Sequence, residues 1–349
     1  MTEHRIATTV MRGGTSKGVF VDAADLPPPG PDRDRFLLAL LGSPDPMQLD
    51  GLGGTHSSTS KVVAVGPSDA ERCDVDYLFA QVAIDEPVVD YAGNCGNLTT
   101  AVGPYAVDNG LVPAADGPEV SLVLRNLNTG VRIRTVVPLD GGRAAVEGEL
   151  AIAGVPGTGP AIVTDYLDPG GSVLGAVLPT GHPVDRVTLA DGTTIEASIV
   201  DITSPHAFVR ASDVDLTDLA HLEAVRSACG ALVGLDSRAV PRLAVVGPPG
   251  HADGDADLVG RATSMQRLHH AFPMTGALCT GAAARLAGTV VAEMCQPAAA
   301  GGGPATVRLR HPKGVVDIRV DVEGTTVRSV GVTRTARRLL RGEAYVVLR

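Results

Sequence analysis

Apolar and polar side chains alternate along most of this chain, and the alternation predicts strands. Twelve runs read this way: RIATTV (5–10), GVFV (18–21), KVVAV (61–65), VDYLFAQVAI (75–84), VSLVLRN (120–126), VRIRTVV (131–137), TIEASIVDI (194–202), HAFVRA (206–211), RLAVVG (242–247), ATVRLRH (305–311), VVDIRVDV (315–322) and AYVVLR (344–349). Helical spacing appears in four places. Residues 32–41 and 216–232 predict peripheral helices with acidic starts, the second carrying Leu219, Leu222, Val225 and Leu232 on one face. Residues 97–109 and 276–286 are rich in Ala, Gly and Thr and almost free of charge. A helix apolar around its whole circumference is buried on all sides, and small side chains let strands approach it closely.

The two small-residue helices share a local grammar. NCGNLTTAVGPYAVDNG and MTGALCTGAAARLAG each pass from a polar, Gly-containing start, past a cysteine, into a small apolar helix that ends near Gly. This repetition predicts an α+β protein of two similar halves, each a sheet wrapped round a central helix. The divider falls in LPTGHPVDRVTLADG, where Pro179, Gly181 and Pro183 interrupt the strands, so the domains are expected at 1–184 and 185–333. The GGGP stretch from Gly301 reads as a loop inside the second half.

Composition narrows the function. The 349 residues carry 29 Lys+Arg against 39 Asp+Glu, a formal charge of -10, and no basic cluster exceeds Arg334, Arg337, Arg338 and Arg341. Nucleic acid is therefore not an expected partner. Trp is absent, and Gly with Pro makes up 67 residues, nearly a fifth of the chain, which implies many short elements joined by tight turns. The opening MTEHRIATTV is charged where a signal peptide is apolar, and no apolar run reaches the roughly 18 residues of a spanning helix. A cytoplasmic location without membrane contact is the expectation. Cys73, Cys95, Cys229, Cys279 and Cys295 are odd in number and widely spaced, so they read as thiols.

Candidate chemistry gathers at the helix starts. A helix N-terminus presents unpaired N–H groups and a partial positive charge, which suits a carboxylate and favours the thiolate of a cysteine placed there. Cys95 is thus a candidate acid/base, against the alternative of a small buried packing residue. In DGLGGTHSSTSKVVAV a Gly-rich loop runs through Ser57, Ser58, Thr59 and Ser60 to Lys61 at a strand start. A desolvated lysine there is a candidate base for a carbon-bound proton, against the alternative of an exposed surface lysine. The segment lacks phosphate-loop spacing. The MRGGTSKG turn, with Ser16, is by itself generic. Asp253, Asp255 and Asp257 lack the rest of a calcium loop, and the adjacent His269 and His270 cannot share a helix face as a metal pair does. No metal is expected.

Taken in order, MRGGTSKGVFV, GSPD, DGLGG, SSTSKVVAV, DVDYLFAQV, NCGN, GVPGTGPAIV, LPTG and TRTARRLLRGEAYV resemble the PrpF family of methylaconitate isomerases, from about residue 6 to the C-terminus. The resemblance implies a diaminopimelate-epimerase-like fold of two α/β domains, each with a central helix in a curled sheet, the tail 334–349 packing on the first domain. It implies cofactor-free proton movement on unsaturated di- and tricarboxylates: cis-trans or double-bond isomerisation, or tautomerisation of the 4-oxalomesaconate type. The family's catalytic lysine falls on Lys61 and its cysteine on Cys95. Substrate contacts are expected from Ser16, Ser57, Ser58, Asn94, Gly96 and Asn97, and, in the second half, from Arg261, Ser264, His270, Thr275 and Gly276. Cys279 is a candidate second acid/base, or a space-filling residue. A homodimer is the family-level expectation. Two other readings stay open: a non-catalytic carboxylate binder, and an amino-acid racemase or epimerase, which would need two opposed thiols. The chain departs from the family where TSPHAFVRA follows IVDI, in place of a Gly-Asn-Pro turn. Ser204, Pro205 and His206 therefore bear on the choice of substrate.

Overall fold

The computed structural model describes residues 2–113, 116–237, 240–264, 266–296 and 302–348. The chain forms two compact units, Met1–Thr164 with Thr333–Arg349, and Asp165–Val332.

The first unit holds strands β1 (Thr2–Gly13), β2 (Ser16–Asp22), β3 (Lys61–Pro67), β4 (Val75–Val82), β5 (Glu119–Asn126) and β6 (Arg132–Asp140), with helix α1 (Pro31–Leu41) before β3 and α2 (Gly96–Asp108) before β5. The β1–β2 pair is antiparallel, β2–β3 parallel, β3–β4 antiparallel, β4–β5 parallel and β5–β6 antiparallel. The C-terminal strand Ala336–Leu348 runs antiparallel along the whole of β1, from Thr2↔Leu348 to Gly13↔Ala336. Period-two alternation assigns the faces of this sheet. In β2, Val19 and Val21 join Phe36, Leu37, Leu40 and Leu41 of α1 in one core, while Phe20 meets Tyr105 of α2 with ring centroids 5.6 Å apart. Helix α2 touches β1, β2, β3, β5, β6 and the C-terminal strand. A sheet whose outer and inner strands all reach one helix has to curl round it. The small side chains permit this: a methyl group on Gly103 would lie 2.7 Å from Val137 Cγ2.

The second unit repeats the order. It holds β7 (Thr194–Ile202), β8 (Ser204–Arg210), α3 (Leu219–Leu232), β9 (Arg242–Gly247), β10 (Leu258–Ser264), α4 (Met274–Ala283), β11 (Gly303–His311), β12 (Gly314–Glu323) and β13 (Thr326–Arg334). The pairings β7–β8, β8–β9, β9–β10, β10–β11 and β11–β12 run antiparallel, parallel, antiparallel, parallel, antiparallel, the same sequence as in the first unit. Strand β13 adds antiparallel to β12. Helix α3 covers one face through Leu222, Val225 and Cys229 against Ile199, Ala207, Val209 and Leu243. Helix α4 is buried along its whole length and packs on β7, β8, β11 and β12.

The four helices lie where helical spacing predicts them. Strands β10 and β13 are not among the runs read from the alternation; in β13, TVRSVGVTR has a Gly and two Arg within its apolar positions. The change from one unit to the other comes at Thr164/Asp165, ahead of the Pro- and Gly-rich divider read from the sequence. Residues beyond Asp165 bond within the second unit: the Asp165 carboxylate accepts from Arg319 Nη2 at 2.7 Å, and Asp201 Oδ2 accepts from the backbone of Val173 and Leu174 at 2.7 and 2.6 Å. Of the GGGP stretch, Gly301 lies outside the described residues, and Gly303 and Pro304 open β11 instead of a loop. Pro304 is tolerated there because it stands next to the strand start. No helix among the described residues is long and apolar enough to cross a membrane.

Candidate functional site

Three Gly-rich segments that are distant in sequence meet at the start of α2 in the first unit. Cys95 is the residue just before the helix, and its carbonyl accepts the first helical bond from Thr99 N at 3.0 Å. The N–H groups of Gly96 and Asn97 therefore have no acceptor inside the helix. The half-buried Cys95 thiol points to the β1–β2 turn and donates to Ser16 Oγ at 3.7 Å. That turn lies against the helix. Asn97 Nδ2 donates to Thr15 Oγ1 at 3.1 Å, and Thr15 N donates back to Asn97 Oδ1 at 3.4 Å. Contact is close enough that a methyl group on Gly13 would stand 2.3 Å from the Asn97 carbonyl oxygen.

The same turn carries the lysine loop. Lys17 N donates to the Ser58 carbonyl at 3.0 Å. Gly18 passes between Leu98 of α2 and Lys61, with room for no side chain: a methyl group there would be 2.7 Å from Leu98 Cδ1 and 3.1 Å from the Lys61 carbonyl. Lys61 opens β3 and is only 8% exposed, which removes the reading of a surface lysine. Its position follows from register. Lys61 and Gln81 are direct partners across the antiparallel β3–β4 pair, so their side chains share a face. Lys61 Nζ donates to Gln81 Oε1 and lies 4.9 Å from the centroid of the Phe79 ring, two residues along the same face. The Gln81 amide in turn donates to the carbonyls of Ser60 at 2.8 Å and Ser57 at 3.2 Å. Buried Gln48 braces the loop from behind, donating to Ser60 Oγ at 2.8 Å and accepting from Thr55 N at 2.9 Å.

These contacts sort the candidates. Lys61, Cys95, Ser16, Gly96, Asn97 and Ser58 are joined through one hydrogen-bonded set of segments. Ser57 is exposed at its rim. Asn94 turns inward, donating to Tyr77 Oη at 3.0 Å and Thr99 Oγ1 at 3.2 Å, so its amide holds the segment before the helix. Gln48, Phe79 and Gln81 were not singled out in the sequence. Gln81 had a visible signal, as a polar residue inside the apolar run VDYLFAQVAI.

In the second unit, Thr275 and Gly276 form the first turn of α4. Thr275 Oγ1 accepts from Arg242 Nη1 at 3.0 Å, and its carbonyl accepts from Thr203 Oγ1 at 3.2 Å. His206 is fully buried, and a methyl group on Gly276 would lie 2.9 Å from its Nε2. Arg242, Thr203 and His206 thus belong to this turn, although the candidates drawn from the sequence for this unit were others. Arg261 is exposed, and strand alternation puts it on the opposite face from Gly260, which packs on Phe272. His270 is exposed, its ring stacked on His269 with centroids 4.6 Å apart. Ser264 ends β10. Cys279 is fully enclosed one turn into α4. Its thiol faces the Val200 carbonyl at 3.6 Å, and burial, with Asp201 nearby, pushes its pKa well above the ordinary value. Among the described residues no group of three or more His, Cys, Asp or Glu is arranged to hold a metal ion.

Known proteins resemble this chain in sequence and in fold. The 3-methylitaconate isomerase of Eubacterium barkeri is 39% identical, the match covering 98% of this chain and 97% of that protein. The 2-methyl-aconitate isomerase of Shewanella oneidensis and the 4-oxalomesaconate tautomerase of Pseudomonas putida are each 36% identical, covering 97% and 98% of this chain and 96% of each relative. Among solved structures, a methylitaconate-delta-isomerase crystal structure superposes with a TM-score of 0.85 at 39% identity, over 99% of this chain and 96% of that one. A hydroxyproline epimerase from Agrobacterium vitis matches with a TM-score of 0.58 at 10% identity, over 98% and 92%, which shows the shared epimerase-like fold. The PrpF protein family model spans residues 3–347, so every residue that builds the two helix starts lies within the match, and the chain belongs to the PrpF family.

Proposed function

We propose that this chain is a cofactor-independent isomerase of an unsaturated tricarboxylate of the methylaconitate or aconitate type, acting by removal and return of an allylic proton. The observation that carries the reading is Lys61: a buried amine at a strand start, oriented by Gln81, in the same hydrogen-bonded set of segments as the Cys95 thiol and the start of α2.

An allylic C–H beside a carboxylate is a weak acid, and its removal needs a fixed base and donors for the charge that develops. Lys61 Nζ, as the free amine, takes the proton. The C–H bond breaks, an N–H bond forms, and the electron pair spreads over the double bond into the carboxylate as a dienolate. The N–H groups of Gly96 and Asn97 and the hydroxyls of Ser16 and Ser58 supply donors to that charge. Return of the proton from Lys61 to the same carbon, after rotation about the former double bond, gives cis-trans exchange. Delivery of the Cys95 thiol proton to the far carbon gives a shifted double bond, and Lys61, which keeps the abstracted proton, and the Cys95 thiolate reset by proton exchange with solvent. The isomerase relatives support this class of reaction. A keto-enol tautomerase of the oxalomesaconate type uses the same steps and is the second reading, supported by the relative of that name.

The test is exchange of the allylic protons of trans-aconitate in deuterated water, followed by NMR. Wild-type protein is expected to exchange them, and Lys61→Ala, with an unchanged melting temperature, is expected to lose the exchange. Exchange at the wild-type rate in that variant would remove Lys61 from the mechanism, and binding without exchange in the wild type would point to a carboxylate-binding protein. A cytoplasmic location, in keeping with five unpaired thiols, and a homodimer complete the proposal. Fractionation and light scattering test these two points.

A further inference from the structure

The C-terminal strand of the first unit, Ala336–Leu348, is 13 residues long and, among the described residues, pairs with β1 alone. Its other edge therefore carries a row of backbone N–H and C=O groups that no strand of this unit meets. Such an edge is a template for pairing with another chain, and proteins that remain single blunt it with Pro, with short strands or with bulges. One bulge is present. The register steps from Val10↔Leu340 to Met11↔Arg338, so Leu339 is the extra residue. Beyond it the register with β1 runs unbroken from Leu340 to Leu348, a stretch without Pro. Apolar side chains lie open along the same strand: Leu339 is 49% exposed, Leu340 55% and Tyr345 59%.

Gly342 stands in the middle of this stretch. Its φ is not left-handed, and a methyl group added to it would meet nothing within 4 Å. Neither the backbone nor the packing of this chain requires glycine there. Glycine weakens a strand, and inside one it marks a place where a second backbone comes close. The residues on either side are Arg341 and Glu343, both exposed and on one face of the strand. Neither forms an ion pair among the described residues.

Symmetry turns these observations into a register. When two identical strands pair antiparallel, the two-fold axis passes through a residue that faces its own copy, and residues equally distant on either side face each other. With the axis at Gly342, Arg341 lies opposite Glu343 of the second copy, and the pair occurs twice. Leu340 lies opposite Ala344, and Tyr345 comes to the bulge at Leu339. Opposite charges and apolar pairs placed directly across a sheet both stabilise it. An axis one residue away sets Arg341 against Arg341 or Glu343 against Glu343, which is repulsive.

We propose that the free edge of the C-terminal strand pairs antiparallel with the same edge of a second copy of this chain, about a two-fold axis at Gly342. The inference rests on the homodimer in the proposed function and names its surface; it depends on no step of the reaction.

Light scattering on the full chain over a dilution series tests it. Wild-type protein is expected at twice the mass of one chain. Arg341→Glu and Glu343→Arg each place like charges opposite one another at two symmetric points, and each is expected to weaken the dimer about tenfold or more. The double variant restores opposite charges and is expected to regain the wild-type dimer. Both positions are exposed, so the melting temperature of the folded chain is expected to hold. Cross-linking with a short bismaleimide reads the register. Gly342→Cys faces its own copy and is expected to link the two introduced thiols, as read by peptide mass spectrometry. Val347→Cys is expected not to link, because ten residues of strand, about 33 Å, separate it from its copy. A monomeric wild type overturns the homodimer together with this surface. A wild-type dimer that neither single reversal weakens, a double variant that stays weak, or linking at Val347→Cys in place of Gly342→Cys overturns this surface alone. Allylic exchange enters none of these measurements, so failure of the isomerase reading is seen separately.

Discussion

Gly13→Ala isolates the docking of the β1–β2 turn on α2 from the chemistry it serves. Gly13 has an ordinary φ, so in an open setting alanine would stabilise by about 0.4–1 kcal/mol through the unfolded chain. Here the added methyl group stands 2.3 Å from the Asn97 carbonyl oxygen and 3.0 Å from Leu98 Cα. Both obstacles are backbone of a buried helix, so no side chain can rotate away. Carbon–oxygen contacts settle near 3.3 Å or more, so the turn has to retreat by about 1 Å. Overpacking of this kind costs about 1–3 kcal/mol, which in a body of this size lowers the melting temperature by roughly 2–12 °C. The retreat carries Ser16 away from Cys95 and loosens the bond from Lys17 N to Ser58. A displacement near 1 Å is enough to slow a positioned reaction about 100-fold. The assay is calorimetric melting together with allylic deuterium exchange. Gly117→Ala serves as the control, because its nearest neighbour beyond the adjoining residues, Glu119 O, is at 3.5 Å. A Gly13→Ala protein that melts at or above the wild-type temperature and exchanges at the wild-type rate would refute the close docking on which this description of the site depends.

Three further outcomes follow from burial and charge. In folded protein, iodoacetamide is expected to label Cys73 and Cys95, which are half-buried, and to spare Cys229, Cys279 and Cys295, as read by peptide mass spectrometry. Cys279→Ala is correspondingly expected to retain exchange within a few-fold, and its loss would restore the two-thiol, racemase-type reading. In the first unit, burial of Asp76 alone would raise its pKa, but Arg125 and Ser68 outweigh that and hold the carboxylate below its usual range. A depressed folded pKa contributes stability above the unfolded value near 3.9, and the contribution fades as pH falls through the folded value. Arg125→Ala is therefore expected to lower the melting temperature at pH 7. The gap from wild type should narrow below about pH 4 in thermal melts. A gap that stays constant from pH 7 to pH 3 would remove Asp76 as its cause.

Elements that announce themselves locally were legible in the sequence. The strands from RIATTV to AYVVLR follow from period-two alternation, and the burial of α2 and α4 follows from helices without a polar face, because both depend only on neighbours a few residues away. Lys61 and Cys95 were legible as the one lysine at the end of a Ser-rich loop and the one cysteine at a Gly-flanked helix start. Long-range pairing was not. That Gln81 orients Lys61 depends on the β3–β4 register, and that Gly13 must be bare depends on which helix the turn meets. Nor does any local rule make His206 face Gly276 while Arg261 faces away, since strand alternation fixes which residues share a face but not what lies opposite. The chain by itself determined most of the strands and the two small-residue helices as buried centres of two similar halves. Tertiary packing alone decided which polar atoms are satisfied there, because a hydrogen bond between residues seventy positions apart exists only once the sheets have curled round their helices.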